Sequence, residues 1–168
     1  CGVEVVESNV RRHQIGFVAL ASPVTHVWYV KGRPSKIALI LNISLKDLEQ
    51  IVYFNSYVVL DPGNSSELKY KQLLVETDWQ VFDASNPDIT GVDISIGAEA
   101  IKTLLQNINL NEEAKELRLL IPTANDLERE KLIKRLRILD HFIAAGSDPA
   151  WMVLDIIPVL PPDLRPMV

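Results

Sequence analysis

Cysteine is nearly missing from this sequence: Cys1 is the single one in 168 residues, so no internal disulfide can form, and the composition suits a reducing compartment. Long apolar runs are missing too. The longest, such as Ile37 to Leu41, are far too short to span a bilayer, which excludes a transmembrane helix and a membrane partner. Positive charge is short: a net charge of −5 argues against a free-standing nucleic-acid binder, although an acidic chain can still carry a basic face. The sequence starts at Cys1 with no initiator Met and no signal-peptide pattern, and we read it as an internal fragment of a longer protein. It has no internal repeat, no Gly-rich phosphate loop, and no HExxH, EF-hand or GxSxG pattern. The neighbouring carboxylates Glu112-Glu113 and Glu128/Glu130 sit in exposed charged helical patterns and read as a solvated face rather than as an acid–base pair.

What is present is enough for one ordinary core, with 48% hydrophobic and 23% charged residues. Val3, Val5 and Val6, then Ile15, Phe17, Val18 and Leu20, read as two short strands of a hairpin, with Ser8-Asn9 as the turn and Arg11-Arg12-His13 as a charged shoulder. Such a hairpin opening on Cys-Gly is how many zinc ribbons end, yet a lone cysteine is more often a small buried hydrophobe or a free thiol. His13, His26 and His141 have no partner at ligand spacing and read as structural. Ser44 is placed to cap a helix in which Leu45, Leu48, Ile51 and Val52 share a face; Tyr53-Phe54 and Tyr57 to Leu60 read as a strand closed by Asp61-Pro62-Gly63. The aromatics there are read as core, since basic residues are sparse around them.

Ser65 or Ser66 is expected to cap a further helix to about Thr77, and residues 78–97 read as an irregular surface insertion. Helices follow over Ala98 to Asn107 and Asn111 to Leu120; from Asn125 or Asp126 the longest runs to about Ala145, with Gly146 as C-cap. Its apolar stripe is Leu127, Ile133, Leu136, Leu139 and Ile143, and its other face carries Arg129, Lys131, Lys134, Arg135 and Arg137. The chain closes on WMVLDIIPVLPPDLRPMV, whose β-branched first half suits a buried extended segment. Pro158, Pro161, Pro162 and Pro166 make its second half a stiff, non-laddered track presenting Asp163 and Arg165. The fold class expected is α+β, with mixed helices and short antiparallel strands.

That closing segment resembles the one preceding the lid loop in the largest subunit of multisubunit RNA polymerases, the bacterial beta-prime subunit, whose N-terminal part is a separate gamma-type chain in cyanobacteria and plastids. CGVEV with VRRH and ASPVTHVWY is similar to that family's run after its N-terminal zinc site, and LKDLEQIVYFNSYVVLDPG is similar to its clamp. The resemblance covers residues 1–76 and 98–168 and departs near Val81 to Val92. NSYVVLDPGN with YKQLL, and IGAEAI followed by KLIKRLRILDHFIAAGSDPAWMVLDIIP, point to the split-subunit photosynthetic lineage, hence to a cyanobacterial cytoplasm or a plastid stroma.

The resemblance implies three parts: the end of a zinc-ribbon hairpin over 1–24, a mostly helical clamp over 25–150, and a strand with a Pro-rich track leading to the lid over 151–168. It implies that Cys1 is the last of four zinc ligands, the other three lying outside this chain. The intact enzyme it implies transcribes DNA into RNA with magnesium held by an NADFDGD motif, which is absent here, so the fragment alone is expected to be inactive. The implied partners are the beta, alpha and omega subunits, the remainder of beta-prime, a sigma factor, the DNA template and the RNA–DNA hybrid. Arg165, Arg135 and Lys134 are the candidate nucleic-acid-proximal residues, with an ion pair between Arg165 and Asp163 as the competing structural role. From the residues alone a second reading stands, a stand-alone α+β interaction module without catalysis. A module would be monomeric and cooperative, whereas a polymerase fragment would be sticky in isolation.

Overall fold

The computed structural model describes residues 4–86 and 89–165. Its elements run α1 (Ser8–His13), β1 (Gly16–Thr25), α2 (Val27–Val30), α3 (Lys36–Leu41), α4 (Leu45–Val52), β2 (Tyr57–Asp61), β3 (Leu73–Leu74), α5 (Glu76–Ser85) and β4 (Asp93–Ser95). Then follow α6 (Gly97–Gln106), α7 (Leu110–Leu120), α8 (Asp126–Ala145), β5 (Val153–Val159) and two single 3-10 turns, Pro149–Met152 and Pro162–Leu164. The α+β class is therefore as expected.

Helix starts follow side-chain chemistry. Oxygens of Ser35, Ser44, Asn109 and Asn125 each accept a backbone N–H from the first turn of α3, α4, α7 and α8, replacing water on donors that have no partner inside the helix. α8 ends as expected at Gly146, whose φ of +60° is left-handed. α3 ends on Asn42, also left-handed at φ +54°.

The core collects where the apolar faces of α3, α4 and α6 meet. Ile37, Ile40, Leu41, Leu48, Ile101, Leu104 and Leu139 are wholly buried or nearly so, and Val58 of β2 joins them. Six of the ten α6 residues are buried, which makes it the central helix. A satellite cluster of Val59, Leu68 and Leu74 packs under Trp79 and Phe82. Two antiparallel sheets flank this body. β3-β2-β4 is the larger, with Val58 opposite both Leu73 and Ser95. The other is a ribbon of β1 and β5, in which Phe17 pairs with Pro158, Val18 with Ile157 and Ala19 with Ile156.

Several expectations are corrected. Ser8-Asn9 is not a hairpin turn: residues 8–13 form α1, and the partner of β1 is β5, whose run of β-branched residues supplies a better ladder than a few residues upstream could. Val3 lies outside the described residues. Tyr53 and Phe54 end α4 rather than starting a strand, with Phe54 left-handed at φ +61°. No helix spans 65–77. The Ser65 hydroxyl does accept the amides of Glu67 and Leu68, but Lys71 turns the chain at φ +65° so that Leu73–Leu74 can pair with β2.

The region expected to be irregular carries α5, which buries no residue, and β4, the third strand of the larger sheet; Pro87 and Asp88 lie outside the described residues. The closing segment is extended, as expected, but β5 is mostly exposed rather than buried. Pro158 sits inside the ladder, which a two-stranded ribbon tolerates because each strand keeps one open edge. The track after it folds into the turn Pro162–Leu164, with Pro166 outside the described residues.

Candidate nucleic-acid interface

The three cations singled out in the sequence lie in three different environments. Arg135 is a correction: only 7% of it is exposed. Its Nε donates to the Leu39 carbonyl at 2.9 Å, and one terminal nitrogen donates to the Ile40 carbonyl at 3.1 Å and to Glu113 Oε2 at 2.6 Å. The reason is the end of α3, where the Asn42 amide reaches back to Ala38 and, at 3.4 Å, to Leu39, and the carbonyls that follow run out of helical donors beside an apolar core. Lys71 completes the arrangement by donating from Nζ to the Leu41 carbonyl at 2.9 Å. Two cations from distant segments thus cap three successive carbonyls, and Glu113 of α7 supplies the counter-charge.

Burial holds the Lys71 ammonium below the usual lysine range; Glu113 opposes this and Arg135 adds to it. Burial also pushes the Tyr70 phenol up, with Glu113 adding to the shift. The cleft beside this junction is lined by Tyr70, Lys71, Glu112, Glu113 and Glu116, an acidic mouth that disfavours phosphate.

Lys134 remains on the outer face of α8 with its side chain 59% exposed, 3.5 Å from Glu130. Arg129, Lys131 and Arg137 are exposed beside it. Arg165 is exposed after the Pro162–Leu164 turn, where its Nε donates to the Leu160 carbonyl at 2.9 Å. It does not pair with Asp163. That carboxylate binds Arg12 at 3.0 Å and lies 3.6 Å from His13 Nε2, so α1 and the closing turn meet through it. This contact was missed in the sequence. The charged shoulder of α1 is visible there, but its partner is 151 residues away.

Cys1 lies outside the described residues, and among those described no three His, Cys, Asp or Glu side chains converge as a metal site. His26 is structural: its Nδ1 accepts the Trp28 amide at 3.1 Å and starts α2. No helix among the described residues is long and apolar enough to cross a membrane.

The most unusual surface is the ribbon. Phe17 and Ile156 lie on one face, 70% and 51% exposed, while Val18 and Ile157 lie half exposed on the other. Near its base Trp28 and Trp151 are also exposed. A two-stranded sheet with apolar side chains on both faces has no core to cover either, which is the signature of a surface that meets another polypeptide.

The family model described as RNA polymerase Rpb1, domain 1, matches residues 1–168. A DNA-directed RNA polymerase subunit gamma of Gloeothece citriformis is 60% identical over 173 aligned residues, and one of Synechococcus elongatus is 59% identical over 172. A DNA-directed RNA polymerase subunit beta' of Emiliania huxleyi is 60% identical over 169. Each alignment takes in the whole of this chain and 28% of the relative, so the chain spans a little over a quarter of the length of the curated proteins it matches. With a match that runs from the first residue to the last, this chain belongs to the RNA polymerase Rpb1, domain 1, family.

Proposed function

We propose that the chain is the N-terminal clamp portion of the largest subunit of a DNA-directed RNA polymerase of the split, gamma type. The observation that carries this is the identity of about 60% across the whole chain with proteins named DNA-directed RNA polymerase subunit gamma. The exposed apolar ribbon supports it, because a part that is built into a larger assembly keeps surfaces for its neighbours. The longer protein would assemble with the beta, alpha and omega subunits, the remainder of beta-prime and a sigma factor. It would enclose DNA template and RNA–DNA hybrid in a cyanobacterial cytoplasm or plastid stroma.

In this reading the segment's work is mechanical. The Pro161-Pro162 turn, closed by its own backbone hydrogen bonds, holds the approach to the lid where RNA parts from template. Arg165 and Lys134, exposed on the turn and on α8, are the groups proposed to meet phosphate; Arg135 is spent inside the fold. Zinc would be held through Cys1 by ligands lying elsewhere in the longer protein, and magnesium by carboxylates outside this chain. The match across all 168 residues leaves the stand-alone module without an observation in its favour.

The test is reconstitution. Full-length gamma-type protein carrying this chain, mixed with the other subunits, is expected to yield a complex that makes RNA on a DNA template, while residues 1–168 alone make none. A full-length protein that neither joins the complex nor is needed for RNA synthesis would sink the proposal.

A further inference from the structure

We propose that Arg12 and Asp163 form a positioning pair that sets the direction in which the Pro161–Leu164 turn leaves the ribbon. The inference rests on the reading above, in which that turn leads toward the point where RNA parts from template. The turn is closed within itself: Leu164 N–H donates to the Pro161 carbonyl at 3.1 Å, Arg165 N–H to that of Pro162 at 3.2 Å, and Arg165 Nε to that of Leu160 at 2.9 Å. It is therefore a stiff, self-closed piece that follows the end of β5. Its polar anchor to the other strand's side is Asp163, whose Oδ1 accepts from Nε of Arg12 at 3.0 Å and has a terminal nitrogen of the same guanidinium 3.0 Å away in an ion pair, with His13 beyond at 3.6 Å.

The pair joins residues 151 positions apart, and α1 packs against the turn there. Arg12 is 62% exposed, and an ion pair so open to water contributes little to stability. What a planar guanidinium held by a charge-assisted hydrogen bond does supply at such a site is direction. Arg165, two residues on, is the obvious alternative partner, but its Nε is committed to the turn itself.

The experiment uses the multisubunit polymerase assembled around the full-length chain, with Arg12→Gln, Asp163→Asn, and the exchange of Arg12→Asp with Asp163→Arg. Two quantities are read: the rate of nucleotide addition on a preformed RNA–DNA hybrid, and the fraction of transcript that remains hybridised behind the enzyme, measured by RNase H cleavage. Each single variant is expected to raise the hybridised fraction about two- to fivefold, the range an exposed ion pair can bias, with the addition rate unchanged. The exchange is expected to bring that fraction back toward the unmodified enzyme. The combined change Pro161→Ala with Pro162→Ala serves as control for the underlying reading. If the proline change raises the fraction and the single variants do not, the pair has no positioning role. Should the proline change leave it untouched as well, the reading itself fails and the pair falls with it. A defect that the exchange does not repair also overturns the proposal, because pairing would not be what matters.

Discussion

Arg135 of α8 and Glu113 of α7 meet at 2.6 Å, and the same guanidinium caps α3 through the carbonyls of Leu39 and Ile40. The distant helix α3 is joined to the neighbouring pair α7 and α8 at one side chain. Arg135→Met keeps the stem's packing but removes the donors to the Ile40 carbonyl and the half-buried Glu113 and leaves Leu39 with the Asn42 amide alone, and is expected to destabilise the chain by about 2–4 kcal/mol. Glu113→Gln keeps an acceptor and is expected to cost only about 1 kcal/mol. Urea denaturation of the two variants measures the difference; equal costs would contradict the junction.

Burial shifts Lys71 and Tyr70 in opposite directions. The folded chain holds the Lys71 ammonium less tightly than the unfolded chain, so stability from this group rises with pH across the window that ends at 10.5, its ordinary value. Tyr70 holds its proton more tightly when folded, so its contribution falls as pH climbs above 10.0. The stability of the unmodified chain minus that of Lys71→Met should therefore grow as pH approaches 10.5, and the same difference for Tyr70→Phe should shrink above 10.0. Denaturation midpoints collected between pH 8 and 11 test both slopes.

Gly97 opens α6 at φ +76°, and a Cβ there would lie 2.5 Å from the ring of Phe54. Gly97→Ala is expected to cost about 2–3 kcal/mol, part from the left-handed backbone and part from the ring. Adding Phe54→Ala should recover the ring's share alone. A double-mutant cycle by thermal melting separates the two, and full recovery would contradict the backbone contribution.

Ser44→Ala removes the acceptor for the Asp47 amide at the start of α4. The expected loss is about 1 kcal/mol. Faster amide exchange at Asp47, with the Glu128 amide of α8 unchanged, would locate the effect.

Phe17→Ser and Ile156→Ser change one exposed face of the ribbon and no core contact. Stability is expected to move by no more than about 0.5 kcal/mol, as for other surface changes. Under the proposed function the full-length protein carrying both changes should be recovered in complex with its partner subunits several-fold less. Unchanged recovery would mean that this face stays open to solvent in the assembly.

The helical body was legible from the chain wherever local chemistry decides. Ser44, Asn125 and Gly146 mark their helix ends in sequence as they do in space, because caps act over three or four residues. The errors fall where a distant partner overrode local pattern. Residues 65–75 look helical beside Ser65, yet β2 draws Leu73–Leu74 into a sheet. Val5 and Ile15 suggest a local hairpin, while the real partner of β1 waits near the far end of the described chain. Arg135 sits among exposed cations on a helix, and no pattern in its neighbours announces that three acceptors on α3 and α7 lie within its reach.

The pairing of Gly16 with Val159 has a consequence during synthesis. When β1 leaves the ribosome its partner has not been made, and at cellular translation rates it waits on the order of ten seconds before β5 follows. The helices between them have all been made before β5 emerges, since α8 ends at Ala145, so the ribbon is the last part that can close. Until then a strand bearing Phe17 and Val18 has both edges unpaired. The nascent chain is most open to misassociation in that interval, and a chaperone that holds β1 would have its effect there.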